Sequence, residues 1–327
     1  MKEDEIIQLF AKPSHPMLDD CHLFDRNKLL TTDSLSEGTH FRLDWSSPED
    51  IAIKLIEVNV SDIFSSGGIP KFCLLNLGLS SESSKKPWIT EFSNAFRKRL
   101  ELYGIELVGG DTFSSSLTQL SLTLFGELPA LNTAWSRSGA KVGDKIYLTG
   151  SLGLSHLGWK ILSDPNFRIL AEKNLKTSSY ENKKESNIEN EGIIQEAIRK
   201  HLRPESVYAK LNKNLMNYKI NSAMDITDGL FQDSWKLAKA SGKTIQINID
   251  KLTRLGEFLK FMSLDEILGS GEELELLFTS SELLPEKLNA YPIAEIGSVL
   301  STSDKPKVAF TYQDEIYLPK SVGYSHF

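Results

Sequence analysis

The chain has 327 residues, a length at which one hydrophobic core stops growing, so two domains are expected. Hydrophobic residues make up 40% of the chain and charged residues 25%, which is ordinary for a globular protein, and the formal net charge is −7. That charge argues against a general nucleic-acid-binding protein, because such proteins need a positive face to displace counterions from phosphates.

The sequence contains no membrane-spanning or secretory pattern. No stretch approaches about 18 consecutive apolar residues, and the N-terminal run MKEDEIIQLFAK is acidic and amphipathic without a long apolar core. The two cysteines, Cys21 and Cys73, lie in no C-x-x-C spacing, so neither a disulfide framework nor a zinc site is expected. We therefore predict a cytoplasmic protein with no membrane partner.

Strands and helices alternate imperfectly through the first 130 residues. The run KLLTTDSL predicts a strand, and Ser47-Pro48-Glu49-Asp50 predicts a capped helix start whose helix runs to Gly67-Gly68. There follow a strand in KFCLLNLGL, a helix from Pro87 to Leu102 closed by Gly104, and a short strand IELVGG. An alternating strand carries Leu120, Leu122 and Leu124 on one face.

The segment RSGAKVGD, from Arg137 to Asp144, holds two glycines and no apolar periodicity, so the domain boundary is placed here. The predicted domains are 1–138 and 139–327, the second also α/β. Its polar stretch 164–191 predicts a mobile surface excursion. Helices are predicted from Pro204, from Gly229 to Ser241 and near Glu257 to Leu268. Further strands are predicted at KIYLTG, SAMDIT, TIQINI, LELLFT, AEIGSV, VAFTY and EIYL.

Seven aspartates lie at the edges of apolar runs, most beside Gly, Ser or Thr. They are Asp19, Asp20, Asp33, Asp62, Asp111, Asp225 and Asp228. Carboxylates held close together repel by about 4 kcal/mol at the effective dielectric of a protein surface, so a fold that collects them needs cations. Oxygen ligands of this kind favour Mg²⁺. The alternative interpretation is that each aspartate is a helix cap or a turn former.

Six motifs occur in a fixed order: TTDSLSEGTHF, NVSDIFSSGGIP, GGDT, RSGAKVGD, MDITDGL and GSGEELELLF. With them the chain resembles the thiamine-monophosphate kinase family of the aminoimidazole-ribotide-synthetase-like superfamily, from Asp19 to the C-terminus. The resemblance implies an α/β (α+β) fold of two domains, in which the N-terminal domain forms a β-barrel with a second copy in a homodimer. The C-terminal domain is then α/β with a mixed sheet. The implied activity is ATP-dependent phosphorylation of thiamine monophosphate to thiamine diphosphate.

The resemblance also implies a metal site that replaces a P-loop. The chain lacks a G-x-x-x-x-G-K-[ST] string, so no P-loop lysine cradles the triphosphate of ATP. Several Mg²⁺ ions would neutralise it, with K⁺ as a further candidate cation. The implied metal ligands are Asp20, Thr31, Thr32, Asp33, Asp62, Asp111, Asp225 and Asp228.

The implied ATP-binding residues are Gly110, Asp111, Arg137 and Thr227. A guanidinium suits phosphate oxygens, although a surface ion pair would equally explain Arg137, and a turn between strands would explain the Gly109-Gly110 pair.

The implied substrate-binding residues are His40, Glu272 and Tyr324. A lone histidine or a tyrosine near a terminus also fits a purely structural role. No residue is predicted to act as a covalent carrier, because an ionised acceptor phosphate can attack in line without a general base.

Departures from the family pattern cluster on the acceptor side. Leu18 stands where the family has glycine, Glu273 and Leu274 replace an aspartate and an aromatic residue, and Ser325 replaces an aspartate. Two alternatives to the kinase therefore stay open. One is a sister enzyme of the superfamily with another acceptor, and the other is a non-catalytic nucleotide-binding homologue.

Overall fold

The computed structural model describes residues 3–10, 19–129, 133–169, 186–302 and 305–320. Leu18, Tyr324 and Ser325, for which the sequence analysis made predictions, lie outside these ranges. The first helix, α1, covers Glu3–Phe10.

The first sheet has five strands in the order β1-β2-β5-β3-β4. Their bounds are β1 His22–Phe24, β2 Lys28–Ser36, β3 Ile69–Leu79, β4 Glu106–Ser114 and β5 Gln119–Glu127. Only the β3–β4 pair of this sheet is parallel. The predicted face of β5 is confirmed, because Leu120, Leu122 and Leu124 are buried. Strand β4 continues past the predicted IELVGG and forms an edge of the sheet.

Helix α2, Pro48–Ser65, lies in the centre of the molecule. It begins as predicted with a capping box, in which the Ser47 hydroxyl accepts from the Asp50 backbone N–H and the Asp50 carboxylate accepts from the Ser47 backbone N–H. Most of its residues are buried, including several polar ones. Helix α3, Lys86–Tyr103, packs against it and ends at Gly104 in the left-handed conformation, as predicted.

The second sheet is mixed, with the main order β13-β12-β8-β11-β6-β9-β7 and β10 paired to β11. Its strands are β6 Lys145–Thr149, β7 Ile220–Asp225, β8 Lys243–Asn248, β9 Leu276–Ser280, β10 Lys287–Leu288, β11 Tyr291–Thr302, β12 Lys307–Tyr312 and β13 Glu315–Tyr317. The helices of this half are α4 Leu154–Ser163, α5 Ser186–Leu202, α6 Tyr208–Leu215, α7 Leu230–Ser241, α8 Leu255–Phe258 and α9 Leu264–Leu268.

Two hydrophobic cores hold these layers together. The first joins α2 and the first sheet to one face of the second sheet, with Phe64 of α2 against Tyr208 and with Phe278 of β9 in the same cluster. The second core fills the other face of the second sheet, where Leu157, Ala197 and Leu237 of three helices meet. Helix α2 therefore lies between the two sheets, and its polar side chains can reach both.

Two helix predictions for the second half differ from the structure. The helix predicted from Pro204 begins at Tyr208. The single helix near Glu257 to Leu268 is two short helices, because Ser263 forms a capping box with Glu266 and starts a new one. Part of the predicted surface excursion, 186–191, is helical, since α5 carries an apolar stripe that buries Ile193, Ile194 and Ala197. Residues 170–185 of the excursion lie outside the described ranges.

Among the described helices, none combines the length and the apolar character needed to cross a bilayer.

Candidate active site

Three carboxylates from distant parts of the chain converge between the two sheets. Asp20 precedes β1, Asp62 lies in α2 and Asp225 ends β7, and each offers an oxygen within 4.8 Å of the other two. The structure thus brings together three of the predicted metal ligands, one from each of three separate elements.

Hydroxyl groups surround this carboxylate cluster. Thr31 Oγ1 donates to Asp62 Oδ2 at 2.5 Å, Ser61 Oγ donates to Asp225 Oδ2 at 2.5 Å, and Ser65 Oγ donates to Asp20 Oδ2 at 2.5 Å. Thr31 was predicted, whereas the sequence analysis missed both serines. The spacing of Ser61, Asp62 and Ser65 on one face of a helix could have revealed them.

Burial and mutual repulsion both disfavour the ionised form of the carboxyl groups in and around the cluster. Burial, and then the neighbouring carboxylates of Asp33 and Asp225, raise the pKa of Asp62 well above its usual range. Burial followed by Asp20 does the same to the pKa of Asp225. Burial together with Asp20, Glu272 and Asp228 raises the pKa of Asp33 to about 6. Asp33 and Asp228 therefore lie within electrostatic reach of the cluster.

Arg137 is the cation that faces the cluster. Its Nη2 forms an ion pair with Asp20 Oδ1, and its backbone N–H donates to Asp19 Oδ1 at 2.7 Å. Burial alone would lower the pKa of Arg137, but Asp20 outweighs burial and raises it. Within the described part of the chain, its buried Nε has no hydrogen-bond partner. One donor of the guanidinium thus remains available next to the carboxylates.

A buried acid that the sequence analysis missed shapes the loop between Asp225 and α7. Asp233 Oδ2 accepts from the backbone N–H groups of Thr227, Asp228 and Gly229 at 3.0 to 3.1 Å. Lys236 pairs with both Asp228 and Asp233. This loop is therefore held in one shape, with Thr227 between the two predicted metal ligands.

The acceptor-side residues His40 and Glu272 meet at a buried lysine. Lys54 Nζ donates to Glu272 Oε2 at 2.7 Å and to the His40 carbonyl at 2.8 Å. His40 Nδ1 accepts from the Ser36 backbone N–H at 3.1 Å. Burial alone would raise the pKa of Glu272, but Lys54 and the nearby His201 and His40 together outweigh burial and lower it, so Glu272 is ionised at neutral pH. The Glu272 backbone N–H donates to the Thr227 carbonyl at 2.9 Å, which ties this loop to the nucleotide side.

The two departures from the family pattern that the structure describes point into the protein interior. Glu273 is fully buried, and its Oε1 accepts from Ser270 Oγ at 2.6 Å and from the backbone N–H groups of Gly153 at 2.7 Å and Ser155 at 3.1 Å. Burial raises the pKa of Glu273 to about 7. Leu274 is also fully buried. Both residues therefore support the loop that carries Glu272.

Two predicted metal ligands, Thr32 and Asp111, lie away from the carboxylate cluster in a single chain. Successive residues of a strand point to opposite faces of the sheet, and Thr31 is buried on the face that packs against α2. Thr32 is on the other face, where its Oγ1 donates to the Leu122 carbonyl and shares a hydrogen bond with Thr123 Oγ1. Asp111 is exposed on β4. Across the sheet, Asp111 pairs with Asn76, Asn76 with Ser121, and Ser121 with Ser34. Paired residues point to the same face, and Ser34 is two residues from Thr32 on β2, so Asp111 and Thr32 lie on the same face of the sheet.

Close approach of the β3 backbone requires glycine at position 110. A Cβ there would lie 1.8 Å from the Leu75 carbonyl oxygen, so no other residue fits this strand pairing.

The donor set fits a hard divalent cation. It consists of carboxylate and hydroxyl oxygens. Burial, and then the neighbouring carboxylates, raise the pKa values of Asp62 and Asp225, so a bound cation would favour their ionised forms. Mg²⁺ binds such oxygen sites and keeps water or phosphate oxygens as its other ligands. The arrangement can therefore bind a phosphate chain through cations, with a guanidinium at its edge.

Comparison with known proteins agrees with this chemistry. Residues 18–128 match the family model of the AIR synthase related protein N-terminal domain, and residues 141–304 match that of the C-terminal domain. A thiamine-monophosphate kinase of Leptospira interrogans serogroup Icterohaemorrhagiae serovar Lai is 42% identical, with 100% of this chain and 98% of that protein covered.

Solved structures give the same result. The crystal structure of thiamine monophosphate kinase from Aquifex aeolicus has a TM-score of 0.75 and 29% identity, covering 97% of this chain and 96% of that one. AaThiL complexed with AMPPCP and TMP has a TM-score of 0.76 and 28% identity, covering 99% and 95% of the two chains. The chain therefore belongs to the thiamine-monophosphate kinase family of the AIR synthase related proteins.

Proposed function

We propose that the chain transfers the γ-phosphoryl group of ATP to thiamine monophosphate, giving thiamine diphosphate and ADP. The observation that carries the proposal is the convergence of Asp20, Asp62 and Asp225 beside Arg137 in a chain of this family. The similar AaThiL structure holds AMPPCP, an ATP analogue, together with TMP. AMPPCP corresponds to the phosphoryl donor of the proposed reaction, and TMP corresponds to its phosphoryl acceptor.

On the nucleotide side, the carboxylates of Asp20, Asp33, Asp62, Asp225 and Asp228 would hold Mg²⁺. When bound, Mg²⁺ neutralises phosphate oxygens and stabilises the charge that develops during transfer. Thr31, Ser61 and Ser65 orient the carboxylates by hydrogen bonds.

Arg137 has a second role in this scheme. Its guanidinium forms an ion pair with Asp20, and within the described residues its buried Nε has no hydrogen-bond partner. We infer that the guanidinium would also bind phosphate oxygens of ATP, because guanidinium and phosphate form strong charge-assisted hydrogen bonds. Thr227, held by the Asp233 loop, would contact the nucleotide beside it.

On the acceptor side, His40 and Glu272 would bind thiamine monophosphate, and Tyr324 stays a prediction outside the described residues. The acceptor phosphate is largely ionised at neutral pH, so the chain needs to position it in line and to exclude water rather than remove a proton. We propose the domains 1–138 and 139–327, whose boundary lies in the segment between β5 and β6, and the reacting groups would meet where the two sheets adjoin.

We further propose a homodimer in which β4 is covered by a second copy. All nine residues of β4 are exposed, among them Leu107, Val108 and Phe113, and the strand is an edge of its sheet. Such an edge is a template for pairing with another chain. The face that carries Thr32 and Asp111 would then be enclosed between the two copies. Both residues could then contribute to a site formed by two chains. The free thiols of Cys21 and Cys73 support a cytoplasmic location.

The proposed reaction is tested by incubating the purified protein with ATP, Mg²⁺ and thiamine monophosphate and separating the products by liquid chromatography. We expect thiamine diphosphate and ADP in equal amounts. ADP formation that does not depend on thiamine monophosphate, or turnover only with another phosphorylated acceptor, would select a sister enzyme. Tight ATP binding in calorimetry without any product would select a non-catalytic homologue.

A further inference from the structure

Lys54 is a buried cation that joins two loops from opposite halves of the chain. Its side chain is 2% exposed, and its ammonium group donates to the Glu272 carboxylate at 2.7 Å and to the His40 carbonyl at 2.8 Å. His40 lies in the turn after β2, in the N-terminal half of the chain. Glu272 belongs to the loop before β9, in the C-terminal half. A lysine so deeply buried needs partners of this kind, because an unpaired buried charge is costly.

The surroundings of this contact make Lys54 the charge that balances Glu272. His201 and His40 are further basic groups near Glu272. Burial, and then Lys54, lowers the pKa of His201 to about 4. His201 is therefore neutral at physiological pH and, within the described residues, its buried Nδ1 has no hydrogen-bond partner. The side chain of Glu272 is 29% exposed, so one part of it faces Lys54 and another part faces solvent.

We propose that Lys54 is a positioning residue for the acceptor: it fixes the Glu272 carboxylate and the His40 turn relative to each other across the junction of the two sheets. The proposal rests on the proposed function, because it assigns the acceptor to these two loops. Lys54 precedes Asp62 by eight residues in α2, which is about 12 Å along the helix axis. The side-chain hydrogen bonds of Lys54 are made to the two acceptor-side loops and not to Asp20, Asp62 or Asp225.

The test is the substitution Lys54→Met, which keeps an unbranched side chain one atom shorter than lysine and removes the charge. Loss of a charge-assisted hydrogen bond to a substrate-binding carboxylate should raise KM for thiamine monophosphate by about tenfold. KM for ATP should stay within about twofold of the wild-type value, since no contact on the nucleotide side is removed. The matched control is Lys145→Met, which breaks the exposed Lys145–Glu295 pair of 2.8 Å and should leave both KM values unchanged.

A second, milder substitution keeps the test informative if Lys54→Met does not fold. Lys54→Gln retains a donor for the His40 carbonyl without the charge, and it should raise the acceptor KM by a smaller factor. In a Glu272→Gln background, Lys54→Met should add little, because the two side chains act as one unit.

Equal KM values for thiamine monophosphate in folded Lys54→Met and wild-type protein would overturn the proposal, as would a similar rise of both KM values. Absence of turnover by the wild-type protein would instead refute the proposed function, and with it the acceptor role of these loops.

Discussion

The guanidinium of Arg137 forms an ion pair with the carboxylate of Asp20, which joins the segment between the two sheets directly to the carboxylate cluster. Arg137 also donates its backbone N–H to Asp19, and its carbonyl accepts from Ser241 Oγ at 2.7 Å. The segment that connects the two halves is therefore part of the candidate site.

The substitution Arg137→Lys tests the nucleotide role of this guanidinium. Lysine keeps the charge but loses the planar fork, so kcat/KM for ATP should fall by about tenfold to a hundredfold. Steady-state kinetics with ATP varied at saturating acceptor measures the effect. Arg42→Lys, at an exposed pair with Asp44, is the control and should behave as wild type. An unchanged kcat/KM for ATP in Arg137→Lys would leave Arg137 a purely structural residue.

Removal of one cluster carboxylate should separate activity from stability. Asp225→Asn takes away a metal ligand, so we expect activity to fall by about a thousandfold. In the metal-free protein the same change relieves repulsion from Asp20, so the free energy of unfolding should not fall and is expected to rise. Urea denaturation with a chelator present measures it. A strongly destabilised Asp225→Asn protein would show that the carboxylate supports the fold instead.

The pH dependence of stability follows from Asp33. Its pKa is raised from 3.8 to about 6, so the folded chain holds a proton that the unfolded chain has already released. This contribution to the free energy of unfolding is complete below pH 3.8 and is lost as the pH rises through about 6. Without divalent cations, Asp33→Asn should therefore weaken the fall in stability across this range. Saturating Mg²⁺ should reduce the difference between the two proteins, and identical pH profiles without metal would contradict the coupling.

Much of this arrangement could be predicted from local pattern. The capping box of α2, the left-handed Gly104 and the alternating Leu120, Leu122 and Leu124 are set by residues close in sequence, and the structure confirms them. Convergence of the carboxylates was predicted only through the family motifs, because no local rule specifies that Asp20 and Asp225 meet. Asp233 and Lys54 escaped prediction for the same reason, since their partners are backbone groups or distant side chains.

Asp233 should matter for stability as well as for activity. Its carboxylate accepts three backbone N–H groups and pairs with Lys236. Asp233→Asn directs an amide donor or a weaker acceptor at these groups, which should cost about 2 to 3 kcal/mol of the free energy of unfolding. Chemical denaturation measures the loss, with Asp250→Asn as an exposed control whose carboxylate accepts from one N–H. A cost equal to that of the control would mean that the loop holds its shape without Asp233.

The proposed dimer can be tested at the edge strand. Val108→Lys places a charge on exposed β4 and should shift the protein toward monomers in analytical ultracentrifugation. Activity should fall in parallel if Thr32 and Asp111 act in a composite site. Leu283→Lys, at another exposed apolar residue, should change neither property. A wild-type protein that sediments as a monomer at assay concentration would refute the dimer directly.

Metal binding by the cluster is measured most directly by titrating Mn²⁺, a spectroscopically visible substitute for Mg²⁺, into the protein with ATP and following free Mn²⁺ by electron paramagnetic resonance. Wild-type protein should bind more Mn²⁺ than ATP alone accounts for, and Asp62→Asn and Asp225→Asn should each lose most of that excess. Equal Mn²⁺ binding by wild-type protein and both variants would contradict the assignment of Asp20, Asp62 and Asp225 as a cation site.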